Sequence, residues 1–193
     1  MKKKASKITL SIVGVLIVFI LIMTWFYPYS MLSIHKSYSF TPDSVVVENY
    51  AEDLKIFNEA YEEDLEALES ADNIDLTVDR TQYLLPMYEQ DWLTSDDTVE
   101  MDKEKLDKML FEVKNGREYL LELMVRKDYS EDQKDYLANV ISGLLSLEDQ
   151  LIDLKNGTAE SRKTLNSQIR NVQSSFESNF MVFKTFYERS KDN

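Results

Sequence analysis

The chain has 193 residues, 35 acidic against 22 basic, no cysteine and one histidine. That composition leaves no disulfide framework, no cysteine–histidine zinc site and no Cys–His nucleophile pair. Beyond residue 27 all 35 acids face only 18 bases, a net of 18 − 35 = −17; such a charge repels polyanions and disfavours a nucleic-acid-binding role.

Residues 1–7 form a basic tail with Lys2, Lys3, Lys4 and Lys7. From Ile8 to Tyr27 no residue is charged, and twenty helical residues measure about 30 Å, the thickness of a bilayer's hydrocarbon core. Thr9, Ser11 and Thr24 can return their hydroxyls to the helix backbone. Trp25, Phe26, Tyr27 and Tyr29 follow, ring types that settle at headgroup level. A cleavable signal peptide has a shorter apolar core closed by a small-x-small site. Here the best such pair, Ser37 and Ser39, lies far past the run. The expectation is a retained, single-pass anchor over 8–27 in contact with membrane lipid. The lysines hold the N-terminus in the cytoplasm and place the remainder outside the cell.

Residues 28–40 read as a stalk, and 41–193 as an extracytoplasmic helical domain. Thr41-Pro42 looks like a helix start, with Thr41 as N-cap. Val47, Tyr50, Leu54, Phe57, Tyr61, Leu65 and Leu68 then form one apolar stripe ending near Ser70–Asn73. Residues 74–97 lose the periodicity around Pro86 and suggest short helical turns lying over the bundle. A second long helix is expected from about Thr98 to Asp128. Ser130 with Gln133 makes a capping box for a third, whose Leu137, Val140, Leu144, Leu147, Leu151 and Leu154 repeat like a coiled-coil seam. That seam would suit a homo-oligomer as well as internal packing. Asn156-Gly157 stops this helix, Gly157 in a left-handed cap, and Thr158 opens a fourth, striped by Leu165, Ile169, Val172, Phe176, Phe180, Phe183 and Tyr187. The fold class expected is all-α: one transmembrane helix, then an antiparallel bundle of about four long helices.

The charge is uneven. Residues 43–102 hold 19 acids and 2 bases, and residues 158–193 hold 4 and 6. If the first and last bundle helices are neighbours, that asymmetry helps to pair them.

Chemistry-bearing patterns are scarce. His35 sits in the stalk, so no bundle helix carries the Glu-x-x-His of a di-iron site. "DNIDLTVD" fails as a calcium loop, with Arg80 where glycine is needed and Pro86 where a glutamate is needed. Asp96, Asp97 and Glu100 are weak candidates for a shared hard cation, against the ordinary reading of acids at a helix start. Tyr88, Trp92 and Leu93 are either a lid over the core or a recognition patch. Asn171 and Ser175 mark an uncharged polar face on the last helix that could sit in an interface. The functional expectation is a non-enzymatic, cofactor-free binding or scaffold module for another cell-envelope protein or component. The alternative is a sensor of a small ligand or divalent cation in the acidic region.

Overall fold

The computed structural model describes residues 2–69, 74–158 and 160–191, with side chains in the first helix described from Leu10 onward. The described residues form eight helices and two short strands. The expected end of the first bundle helix near Ser70–Asn73 lies outside them.

Helix α1 (Lys2–Phe26) ends ahead of Pro28, the residue that denies it a further backbone donor. Thr24 returns its hydroxyl to the Ile20 carbonyl at 2.9 Å, as hydroxyls in apolar helices do. Among the described residues no helix is both long and apolar enough to cross a membrane; in α1 the described side chains cover residues 10–26.

The segment expected to be a free stalk is folded onto the body. Tyr29 is buried and donates to the Met101 carbonyl at 2.8 Å. Strand β1 (Ser37–Phe40) then pairs antiparallel with β2 (Val99–Asp102), Ser37 opposite Asp102 and Phe40 opposite Val99. The two-residue alternation sends Tyr38 and Phe40 inward and Ser39 outward. A lone two-stranded ribbon is marginal in water, and this one persists by packing on the last helix, where Tyr38 donates to Asn166 Oδ1 at 3.2 Å.

Helix α2 (Ser44–Glu69) starts at Asp43, not Thr41: the Asp43 carboxylate accepts from the Val45 N–H at 3.1 Å. Thr41 instead meets the Thr98 hydroxyl at 2.8 Å, extending the closure of the ribbon. The expected stripe faces in, with Val47, Tyr50, Leu54, Phe57 and Tyr61 buried.

Three short helices follow, α3 (Leu76–Thr81), α4 (Leu85–Tyr88) and α5 (Asp91–Thr94). Asp75 caps α3 through the Thr77 N–H at 2.7 Å and also binds Lys127 at 2.8 Å, which pins the connector to the far end of the next long helix. Pro86 occupies the first turn of α4, where its missing N–H costs nothing. Of these, α3 packs on both α2 and α6, α4 on α6 and α5 on α2, so together they link the two long helices.

Helix α6 (Lys103–Arg126) begins five residues later than its pattern suggests because 99–102 is strand. Asp102 caps it through the Lys105 N–H at 2.8 Å. Gly116 lets α4 approach: a Cβ there would meet the Met87 sulfur at 3.0 Å. Helix α7 (Glu131–Asn156) opens with the complete Ser130–Gln133 capping box. Its seam from Leu137 to Leu154 is buried throughout, and α7 packs on α6 and α8. The seam is thus consumed internally, which removes it as a route to a homo-oligomer. Gly157 keeps a negative φ of −65°, not the left-handed cap expected. Helix α8 (Arg162–Arg189) is capped by Ser161, which accepts from Thr164 N–H at 3.2 Å; Thr158 plays no such part.

The bundle is not antiparallel throughout. Val140 meets Asn179 and Gln150 meets Ser175, so α7 and α8 run opposite ways. Between α2 and α8 the partners rise together: Tyr50 with Phe180, Phe57 with Phe183 and Tyr61 with Tyr187. The two helices are parallel because residues 74–98 carry the chain back along the length of the bundle. Rings from both helices meet edge to face at 5.1–5.6 Å for Phe57–Tyr187, Tyr50–Phe180 and Phe57–Phe180, the arrangement favoured by their quadrupoles. Around them lie Lys184–Asp53 at 3.1 Å, Lys191–Asp64, and the Tyr187 hydroxyl on Asp64 at 2.7 Å. The first and last bundle helices are therefore neighbours, and acids of α2 meet lysines at the end of α8.

Candidate functional site

The aromatic connector is core. Tyr88, Trp92 and Leu93 are each 0% exposed, so their reading as a recognition patch is corrected in favour of a lid. A large apolar ring gains more by covering the α2 and α8 stripes than by waiting in water for a partner. Tyr88 donates to Asn179 Oδ1 at 2.7 Å, and Trp92 donates its indole N–H to Gln90 at 3.1 Å. The ring of Trp92 stands edge-on to Phe176 at 5.5 Å.

The acidic candidates do not converge. Asp97 accepts from the Ser95 hydroxyl at 3.1 Å, while Glu100, on β2, accepts from Ser39. Among the described residues no group of three or more His, Asp or Glu side chains could hold a metal ion.

On α8, Asn171 is exposed and Ser175 is half-buried, exchanging hydrogen bonds with the Gln150 amide at 3.1 and 3.2 Å. Together with Gly143 and Ser146 of α7, Ser174, Ser175 and Ser178 line a shallow groove of about 320 Å³ whose walls carry no charge. Small uncharged side chains let a second backbone come close without desolvating an ion.

On the α2–α8 side, Glu177 lies half-buried beside Tyr50, and its Oε1 has no hydrogen-bond partner among the described residues. Burial pushes its carboxyl above the usual carboxylate range. A raised pKa in the folded state means the native protein holds that proton more tightly than the unfolded chain. The penalty is absent at pH below the unfolded value and grows as pH rises through the folded one. Glu177→Gln is accordingly expected to raise the Tm slightly at pH 7, with the gain vanishing near pH 4; an equal gain at both pH values would contradict the assignment.

A further concavity, roomier than the α7–α8 groove, corresponds to no local sequence pattern. Where α1 meets the body, a cleft of about 520 Å³ is bounded by Trp25, His35, Glu100 and Arg162. Arg162 Nε donates to the Trp25 carbonyl at 2.6 Å across 137 residues of chain. Trp25 carries a sequence signal as an aromatic belt residue, and His35 as the chain's single histidine. Arg162 and Glu100 carried none that linked them, because no local pattern reports a contact made by tertiary folding. No family model, curated protein or solved structure matches this chain, so the reading of its function rests on this geometry alone.

Proposed function

We propose that this protein is a membrane-tethered, non-enzymatic binding or scaffold module, with α1 as the tether and the bundle held outside the cell to engage another envelope protein or component. The observation that carries the reading is the surface of α1. Leu16, Ile17, Val18 and Phe19 are consecutive, and their exposures are 54, 53, 56 and 47%. At 100° per residue four consecutive positions look in all directions, so the protein covers no face of this helix between Leu16 and Phe19; its partly covered positions, Ile20, Met23 and Thr24, lie nearer the end that meets the body. Water would make that arrangement costly, at roughly 25 cal/mol for every Å² of apolar surface. Residues 10–26 measure about 26 Å as helix, and the uncharged Ile8 and Thr9 lengthen the run. Retention of the helix is supported by β1: cleavage after Ser39 would leave Phe40 alone of the β1 residues attached to the body, although Tyr38 is buried.

With the connector buried, the uncharged α7–α8 groove beside Asn171 and Ser175 is the contact surface this reading favours. The protein should sediment with membranes after alkaline carbonate washing and be released by detergent. Ile17→Lys with Phe19→Lys, each costing about 2.5–3.5 kcal/mol at a span centre, should shift it to the supernatant. Recovery of the unmodified chain in the carbonate supernatant would refute the tether. A photo-crosslinker at Asn171 in intact cells should give a discrete adduct that one at exposed Glu63 does not; no difference between the two would remove the proposed surface.

A further inference from the structure

The junction cleft has a composition that neither the fold nor the tether requires. Arg162 lies with its guanidinium 4.6 Å from the Trp25 ring centre and 5.6 Å from that of Tyr38, sandwiched by aromatic faces. Only its Nε is used, on the Trp25 carbonyl. The remaining N–H donors have no partner among the described residues, and they form the planar fork that suits a phosphate. Across the cleft stands Glu100, whose carboxylate accepts a hydrogen bond from the Ser39 hydroxyl; that bond, the neighbouring Ser37 hydroxyl and the positive charge of Arg162 hold its carboxyl below the usual range, so it is ionised at neutral pH. Arg162 and Glu100 bound one cleft without forming an ion pair. A cation and an anion held apart in this way are complementary to a ligand carrying both charges.

The position narrows the ligand. Trp25 closes the apolar helix, and Leu21 lies one turn deeper on the same side of the cleft. If α1 is the tether, a premise this inference shares with the proposed function, the cleft lies at the level of the outer headgroups. We infer that it binds a phosphoethanolamine-type lipid headgroup, the phosphodiester on Arg162 and the primary ammonium on Glu100, with the acyl chains descending past Leu21. A purely anionic headgroup would place its charge against Glu100 and beneath a body of net −17. A choline headgroup offers Glu100 no N–H to accept.

The test uses the full chain in maltoside micelles equilibrated with equal amounts of phosphatidylethanolamine, phosphatidylcholine and phosphatidylglycerol, and counts retained lipid by native mass spectrometry. Wild type should retain phosphatidylethanolamine roughly tenfold over the others, the discrimination of one charge-assisted pair. Arg162→Gln should lose retention of all three, and Glu100→Gln should keep phosphatidylethanolamine and phosphatidylcholine at equal levels. Equal retention of the three lipids by wild type, or an Arg162→Gln variant indistinguishable from it, would overturn the inference. Glycerophosphoethanolamine displacing the lipid at equal concentration would overturn the lipid source, showing the ligand to be a free phosphoester. Carbonate washing separates the premises: a chain that sediments but shows no lipid preference fails only here, whereas a chain in the supernatant fails as a tethered protein. Thermal melts of both variants should match wild type, since neither side chain is in the core.

Discussion

Trp92→Ala is expected to lower the unfolding free energy by about 3–5 kcal/mol, the range for truncating a fully buried large aromatic. In a chain of this size that corresponds to a fall in Tm of roughly 6–20 °C. The cause is specific. The indole is 0% exposed, stands edge-on to Phe176 of α8, and belongs to the connector that closes the gap between α2 and α6. Its removal leaves a cavity that the neighbouring short helices cannot refill without giving up their own contacts. Trp92→Phe should cost much less, because it keeps a ring against Phe176. Urea unfolding followed by helical circular dichroism would measure both. The competing idea, that Trp92 anchors a partner, makes the opposite forecast: wild-type stability with lost crosslinking. An alanine variant that melts like wild type would therefore sink the lid assignment.

Asn179 should be the most sensitive polar position. Its Oδ1 accepts from the Tyr88 hydroxyl at 2.7 Å and its Nδ2 donates to the Val140 carbonyl at 2.9 Å, so one amide joins α4, α7 and α8. Tyr88 is 0% exposed, so its hydroxyl depends on the Asn179 acceptor. Burial without an ionised partner also pushes its hydroxyl far above the usual tyrosine range. Asn179→Ala should cost about 2–3 kcal/mol through that stranded hydroxyl. Gly143 lies beneath the same amide, where an added Cβ would collide with Nδ2. Gly143→Ala alone should therefore cost about 1–3 kcal/mol by overpacking. The double variant should be less damaged than the sum by about 0.5 kcal/mol or more, because the new methyl enters space the amide has vacated. Strict additivity in the cycle would show that Gly143 and Asn179 do not compete for that space.

The stability of the α2–α8 contact bears on function as well as folding. Lys184–Asp53 and the Asp64 pair with Lys191 and Tyr187 join the acid-rich start of the domain to its basic end. This leaves the other side of α8, with Asn171, Ser175 and the groove toward α7, as its open uncharged surface. A partner helix could settle there without displacing an ion pair, which is why that surface, and not the acidic one, is proposed for contact.

The sequence by itself determined whatever depends on neighbours in the chain. The stripe of α2 from Val47 to Tyr61, the seam of α7 and the ring-bearing face of α8 are helical periodicities, and a 3.6-residue repeat needs no tertiary information to be seen. The Ser130–Gln133 capping box and the break at Pro86 are local chemistry of the same kind. Helix starts were less secure, because Thr41, Asp43, Thr158 and Ser161 are all competent caps and the choice fell to what each could otherwise bond. Thr41 was taken by Thr98, which left Asp43 to begin α2. Only the tertiary structure decided that residues 28–40 dock on the body with 37–40 as a strand, since β1 finds its partner about sixty residues away in a four-residue segment too short to show a pattern. It likewise decided that α2 runs parallel to α8, because a connector's length permits a return path but does not require one. The Arg162–Trp25 contact and the cleft around it arise the same way: long-range contacts form where packing brings surfaces together, and no residue carries in its immediate neighbours a record of what it will touch across the fold.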